Sequence, residues 1–191
     1  MALTEIEFEL SAQQLALMDY PPLAQGQPLS VQLDAGLLLP DPGSESWFTV
    51  QKEAWPSCFI QVGRATYAFS GQILEAELEK QDGMETATLL VQCGEVPLRV
   101  TCGPGRDGRL PEGTWETRYL AGVSRVHGLV EDDYAVPIGR PVGVTIWQFR
   151  RLRLQPGDPL FGQWHVSETL PPSPLGVDRL VVEARLHRPR L

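Results

Sequence analysis

The sequence predicts an all-β fold, an antiparallel barrel or sandwich of short strands with at most one or two short helices. Proline (17) and glycine (18) are frequent and spread along all 191 residues, as expected for many short strands joined by turns. No apolar pattern with a helical period continues for more than about two turns. Residues 69–102 instead contain three consecutive runs of alternating apolar and polar side chains, a pattern that is typical of half-buried strands.

The three runs in residues 69–102 are separated by predicted turns at Asp82-Gly83 and Gly94-Glu95. The second turn has the Gly-X form of a two-residue type II′ hairpin, which pairs Cys93 with Val96. Pro97 then falls in the next, non-hydrogen-bonded pair, so its missing N–H lies on the other side of the strand. We therefore expect this strand to meet its next neighbour only beyond Pro97, or to begin as an edge. The apolar side chains predicted to face the core are Leu74, Ala76, Leu78, Ala87, Leu89, Val91, Val96, Leu98 and Val100.

The same alternation continues outside the central segment. It predicts strands at residues 5–10, 29–33, 47–51, 58–62, 115–119, 142–154 and 182–186. Residues 12–18 are predicted to form a helix of about two turns, because Ser11 and Gln14 have the spacing of a capping box. Residues 122–140 have no clear period and are predicted to be the longest loop. Within residues 142–154 the apolar face shifts across residues 148–151, which indicates a β-bulge or bend.

The length suits one large domain or two small ones. We interpret residues 1–191 as a single β-rich domain, with a division into 1–65 and 66–191 as the alternative. The N-terminus lacks the pattern of a secretory signal, and no apolar run approaches the roughly 20 residues that span a bilayer. A cytoplasmic protein without a membrane segment is therefore expected.

Three cysteines occur, at Cys58, Cys93 and Cys102. An odd number without C-x-x-C spacing argues against a disulfide framework and against a zinc site. The predicted hairpin register also keeps Cys93 and Cys102 farther apart than the Cα limit of about 7 Å for a bridge. Reduced thiols in the core are expected.

The net charge is −8, which disfavours non-specific binding to the phosphates of nucleic acids. The charge is uneven along the chain. Residues 1–123 carry 7 basic and 17 acidic side chains, whereas residues 124–191 carry 9 and 7, and all nine of these cations are arginine. Because arginine binds carboxylates and phosphates in a bidentate manner and stacks on aromatic rings, an anion or acidic partner could bind to the C-terminal third.

Only three histidines are available for acid–base chemistry or metal binding: His127, His165 and His187. Ser124 precedes His127 by three residues and acidic residues 131–133 follow, so a small hydrolase that uses His127 is one alternative. The sequence lacks the G-x-S-x-G motif of a nucleophile elbow. His127 with Asp132 or Asp133, and His165 with Glu168, do not match zinc-ligand spacing. No metal site and no catalytic residue are predicted.

Two further motifs have structural explanations. Residues 103–108 match G-x-G-x-x-G, but a strand-like run follows instead of the helix that a dinucleotide site needs. No cofactor is predicted. Glu75, Glu77 and Glu79 form a row that could supply the carboxylate pair of a glycosidase. We instead expect these residues to face Arg99 or Arg118 across the sheet.

The function we expect is non-catalytic, through binding or assembly, with an OB-like binder of single-stranded nucleic acid as the main alternative. The candidate binding residues lie in the strand predicted at 142–154. They are Trp147, Phe149, Arg150, Arg151 and Arg153. Arginine and aromatic side chains are enriched at the centres of protein interfaces. The predicted partner is therefore another protein or a second copy, most simply in a two-fold dimer through this strand.

Overall fold

A computed structural model describes residues 5–10, 15, 22–35, 48–104, 108–110, 118–130, 138–172 and 174–187 of the chain. These residues are almost entirely β-structure, as the sequence predicted. They form eleven strands: β1 (Glu5–Leu10), β2 (Pro28–Ala35), β3 (Phe48–Gln51), β4 (Cys58–Gly63), β5 (Thr66–Gln81), β6 (Met84–Cys93), β7 (Val96–Cys102), β8 (Tyr119–Val130), β9 (Val142–Leu152), β10 (Trp164–Ser167) and β11 (Arg179–Leu186).

Eight of the strands close a β-barrel, so the barrel alternative is confirmed. The ring runs β9, β11, β1, β8, β5, β6, β7, β2 and back to β9, and each strand pairs with both of its neighbours in this order. Strand β8 also pairs with β2, which is not its neighbour in this order. Three shorter strands lie outside it, where β3 pairs with β8, β4 with β5 and β10 with β9.

The hairpin register predicted for β6 and β7 is confirmed, with Cys93 opposite Val96 and Ala87 opposite Cys102. The effect expected from Pro97 is confirmed too. On its other side β7 pairs with β2 only at Arg99 and Val100, beyond the proline. The missing N–H of Pro97 therefore costs no ladder hydrogen bond on either side.

The core fills the barrel, as expected for a ring of eight strands. It draws on strands from both sides of residue 65. The predicted inward residues of β1, Ile6, Phe8 and Leu10, are buried, and Val182 and Ala184 of β11 are buried as well. These two terminal strands lie next to each other in antiparallel pairing.

The inward orientation predicted for Leu74, Ala76 and Leu78 is wrong, because all three side chains are exposed. A register shift between Ile73 and Glu75 marks a bulge at Leu74. Beyond it, the end of β5 pairs with β6 alone, since its pairing with β8 stops at Gln72. The alternation is present, but none of the described strands packs over the apolar side of this end of the hairpin.

The loop predicted at residues 122–140 is also wrong over residues 122–130, which belong to β8. Gly128 interrupts the apolar alternation of this strand because it occupies a buried position without a side chain. A Cβ atom there would lie 2.3 Å from Cδ2 of Phe8 and 2.8 Å from Cγ2 of Val31. The glycine thus makes room for a buried aromatic ring, and its backbone remains in the ladder. Residues 131–137 lie outside the described part.

Strand β9 confirms residues 142–152 of the predicted strand, and its bulge falls at Trp147, one residue before the predicted range. Gln148 pairs with Glu183 and Ile146 pairs with Ala184, which leaves Trp147 without a register partner. The helix predicted at residues 12–18 lies outside the described residues, apart from Leu15, which is helical. The described part of the chain contains no helix long and apolar enough to cross a membrane.

Candidate functional site

The five candidate residues, four on β9 and Arg153 directly after it, do not form one surface. Phe149 is fully buried in the core, so its expected place on a binding surface is corrected. The bulge at Trp147 puts Phe149 on the inward face. Arg150 lies on the outer face, where it binds the carboxylate of Glu183.

Arg151 and Arg153 also bind carboxylates of the same chain. The Nε atom of Arg151 donates to Asp178 at 2.7 Å, and that of Arg153 donates to Asp158 at 2.9 Å. Asp178 also accepts a hydrogen bond from the backbone N–H of Leu154 at 2.7 Å. These intramolecular pairs account for the arginine cluster that suggested an interface at β9.

Trp147 remains exposed over 46% of its surface. The guanidinium of Arg185 lies 4.7 Å from the centre of its ring, a cation–π contact. Next to the ring is a cleft of about 140 Å³ that is also lined by Glu5, Glu7 and Glu183. Three carboxylates around one cleft favour cations and repel phosphates.

Two of these carboxylates hold the β4–β5 hairpin against the barrel. Glu7 and Glu183 are direct partners on β1 and β11, and Arg64 at the hairpin turn binds both, at 2.8 Å in the case of Glu183. Glu7 also accepts a hydrogen bond from the N–H of Ala65 at 2.9 Å. Its own N–H donates to the hydroxyl of Tyr67 at 2.8 Å. Glu7 and Glu183 therefore have a structural role that accounts for their charge.

The residues of the hydrolase alternative point away from each other. Ser124 is buried, and its hydroxyl donates to the carbonyl of Arg125 at 2.9 Å. His127 is three residues further along β8 and so faces outward. Its Nε2 atom lies 3.8 Å from a carboxylate oxygen of Glu9. Acidic residues 131–133 lie outside the described residues.

The other motifs also lack chemical partners in the part of the chain that is described. No three His, Cys, Asp or Glu side chains there are grouped closely enough to hold a metal ion. Glu75 and Glu79 are exposed at the far end of β5. Of the two arginines expected to face this row, Arg99 instead binds Asp34 on β2, and the pairing with Arg118 stays a prediction.

A surface that the sequence did not indicate is more distinctive. Two rows of side chains lie on the outside of four neighbouring strands. The first row consists of Ile60 of β4, Ala68 of β5 and Val123 of β8. The second row contains Cys58, Ser70, Ala121 and, on β3, Thr49. We call these two rows the outer apolar face. Ile60 is 58% exposed and Val123 is 51% exposed.

The second row forms the floor of an open groove of about 610 Å³, which Trp55 and Pro56 also line. The floor is low because small side chains occupy it. The polar groups beside it already have partners: the sulfur of Cys58 lies 3.2 Å from the hydroxyl of Ser70, and Ser70 donates to the carbonyl of Pro56. The groove therefore presents mainly apolar surface.

The described side chains of the outer apolar face include no carboxylate, although the chain contains 24 acidic residues. Arg125 stands two residues beyond Val123 on β8, and it lies 3.9 Å from a carboxylate oxygen of Glu9. Sequence reasoning missed this face because Phe59 and Ile60 are both apolar. No alternation tells which of them faces the core.

Comparisons with known proteins add nothing to this geometry. No protein-family profile, no curated protein and no solved structure matched the chain.

Proposed function

We propose that this protein acts without catalysis, by binding another protein through the outer apolar face. The observation that carries the proposal is the row of Ile60, Ala68 and Val123, in which Ala68 is half-buried and the other two side chains are exposed. The solvated side of an antiparallel sheet is normally polar. Contiguous apolar patches of more than a few hundred Å² are rare on monomeric proteins and mark interaction sites.

The position of β4 supports the same proposal. Among the described strands β4 pairs only with β5, and it ends the strand order. An edge strand offers backbone donors and acceptors to a partner chain. A partner that covers the outer apolar face would gain about 25 cal/mol for each Å² of apolar surface removed from water.

Site-specific photo-crosslinking in the cells that make the protein tests this proposal. A photoreactive amino acid would replace Val123, and the same group at Val166 would serve as the control. Val166 is also apolar and is 53% exposed, but it lies on β10. We expect a discrete protein adduct from position 123 and none from position 166. No adduct from 123, or the same adducts from both positions, would contradict the proposal.

Binding of single-stranded nucleic acid at Trp147 is a second candidate. It is supported by the exposed ring of Trp147 and its stacking on Arg185, since aromatic side chains beside arginine bind unpaired bases. The carboxylates of Glu5, Glu7 and Glu183 in the adjoining cleft oppose it. Titration with short single strands at low salt should quench the fluorescence of the wild type more than that of Trp147→Phe. Equal quenching, or none at micromolar protein, would exclude this candidate.

A further inference from the structure

We infer that the partner bound by the outer apolar face is a second copy of this chain, related to the first by a two-fold axis. The inference rests on the proposed function and names its partner. It follows from three properties of the face, which are its shape, its charge and its size.

The shape of the face is self-complementary. Ile60 and Val123 form a ridge, and the row that contains Ala121 forms the floor of the groove beside it. Val123 and Ala121 are two positions apart on β8, about 7 Å at the strand rise. Consider a two-fold axis that is perpendicular to the strands and passes between the two faces, at a level midway between the two rows. Rotation about this axis would place the ridge of each copy over the groove of the other. Such reciprocal contacts define a symmetric dimer interface.

The charge of the face also favours a second copy. Two chains of net charge −8 repel each other over most orientations. None of the described residues in the outer apolar face carries a carboxylate that would face the other copy. Arg125 lies beside the face, and Glu9 balances part of its charge. Two copies can therefore approach there without burying like charges.

The size of the face sets the strength of the contact. Four strands spaced about 4.8 Å apart, each spanning about four residues with a rise of about 3.3 Å, cover roughly 250 Å². Stable interfaces bury about 800 Å² per partner. We therefore expect a reversible dimer that dissociates in the micromolar range, with additional contacts from Trp55 and Pro56 at the rim of the groove.

Sedimentation velocity between 1 and 300 μM tests the inference. The wild type should shift from 21.2 kDa towards twice that mass, whereas Val123→Glu should remain a monomer throughout. Val166→Glu is the matched control and should dimerise like the wild type. Ile60→Glu is a second interface variant in case Val123→Glu does not fold. A wild type that stays monomeric, or an interface variant that folds and dimerises normally, would overturn the inference.

Chemical crosslinking tests the axis itself. In a Cys58→Ser background, Val123→Cys protein mixed with Ala121→Cys protein should crosslink through a short bis-maleimide. Each variant alone should crosslink at least ten-fold less. The axis places position 123 of one copy opposite position 121 of the other, and not opposite position 123. Equal crosslinking in all three samples would overturn the two-fold arrangement.

The photo-crosslinking adduct at position 123 separates the two proposals. An adduct with a different protein would overturn the inference and leave the proposed function in place. The absence of any adduct, together with a monomeric wild type, would remove both.

Discussion

Arg99 and Asp34 form an ion pair between β7 and β2, with the Nε atom of Arg99 donating to Oδ2 of Asp34 at 2.5 Å. Each side chain is only 11% exposed. The two residues are also direct partners in the parallel register, and Ala35 with Val100 is the one other pair that the two strands make. The ion pair therefore lies where β7 joins β2 and the ring closes. Burial raises the pKa of Asp34, an effect that Arg99 opposes.

Asp34→Ala should lower the free energy of unfolding by about 3–5 kcal/mol, because it leaves the charge of Arg99 buried without a partner. The double replacement of Asp34 by Leu and Arg99 by Met should recover most of this loss, since it removes both charges. Urea unfolding at pH 7 measures each variant. If the single and the double variant lose the same free energy of unfolding, the unpaired charge of Arg99 is not the cause of the loss.

The carboxylate of Asp178 predicts a pH-dependent contribution to stability. Burial disfavours its charged form, but the N–H of Leu154 and the guanidinium of Arg151 outweigh burial and lower the pKa of Asp178. A carboxyl group with a lowered folded-state pKa stabilises the protein above its unfolded pKa, about 3.9. This contribution is lost as the pH falls through the folded pKa.

Asp178→Asn should therefore lower the free energy of unfolding by about 1–3 kcal/mol at pH 7. The difference from the wild type should shrink as the pH falls below about 4, because the unfolded chain then binds a proton that the folded carboxylate does not. Urea unfolding of both proteins at pH 7 and pH 3 measures the change. A difference of the same size at both pH values would show that the charge of Asp178 is not its source.

Gly71 marks a close approach of two strands. A Cβ atom at this position would lie 2.0 Å from the backbone oxygen of Gln92 on β6, and backbone atoms cannot rotate away. Gly71→Ala should cost at least about 1–3 kcal/mol, the range for overpacked sites. Gly63→Ala is the control, since its Cβ would make only an ordinary contact of 3.5 Å with Thr66. Similar thermal unfolding of the two variants would contradict the close approach.

The three thiols should differ in reactivity. Burial raises the pKa of Cys93 and of Cys102, the latter to about 12, so both remain protonated and inaccessible in the folded protein. Cys58 is partly exposed, and all three thiols are free. Titration with a thiol reagent should modify one group in the folded state and three after unfolding. Cys58→Ser should remove the folded-state reaction, and a second reactive thiol in the folded protein would contradict this assignment.

The local pattern was sufficient for most of the strands. Alternation assigned the faces of β1, β6, β7 and β11, and the Gly94-Glu95 turn determined the register of its hairpin. The cause is physical: successive side chains point to opposite faces, and a two-residue turn allows only one pairing between the strands that it joins. The all-β class and the free thiols depended on such short-range information as well.

The candidate site depended on contacts that local sequence does not contain. Leu78 and Ala184 each stand between two charged residues, yet Leu78 is exposed and Ala184 is buried. Only Ala184 lies on a part of its strand that faces the core. The arginines in and directly after β9 resembled a binding cluster, but the fold places Asp158, Asp178 and Glu183 beside them.

By itself, the sequence determined where most of the strands occur and where the central hairpins turn, since both depend on residues close together along the chain. Only the tertiary structure decided which distant strands meet, with β1 beside β11 and β8 between β5 and β3. Long-range pairing selects which apolar side chains lose contact with water. It buried Phe149 and left Ile60 and Val123 in solvent, and so placed the candidate site on the outer apolar face.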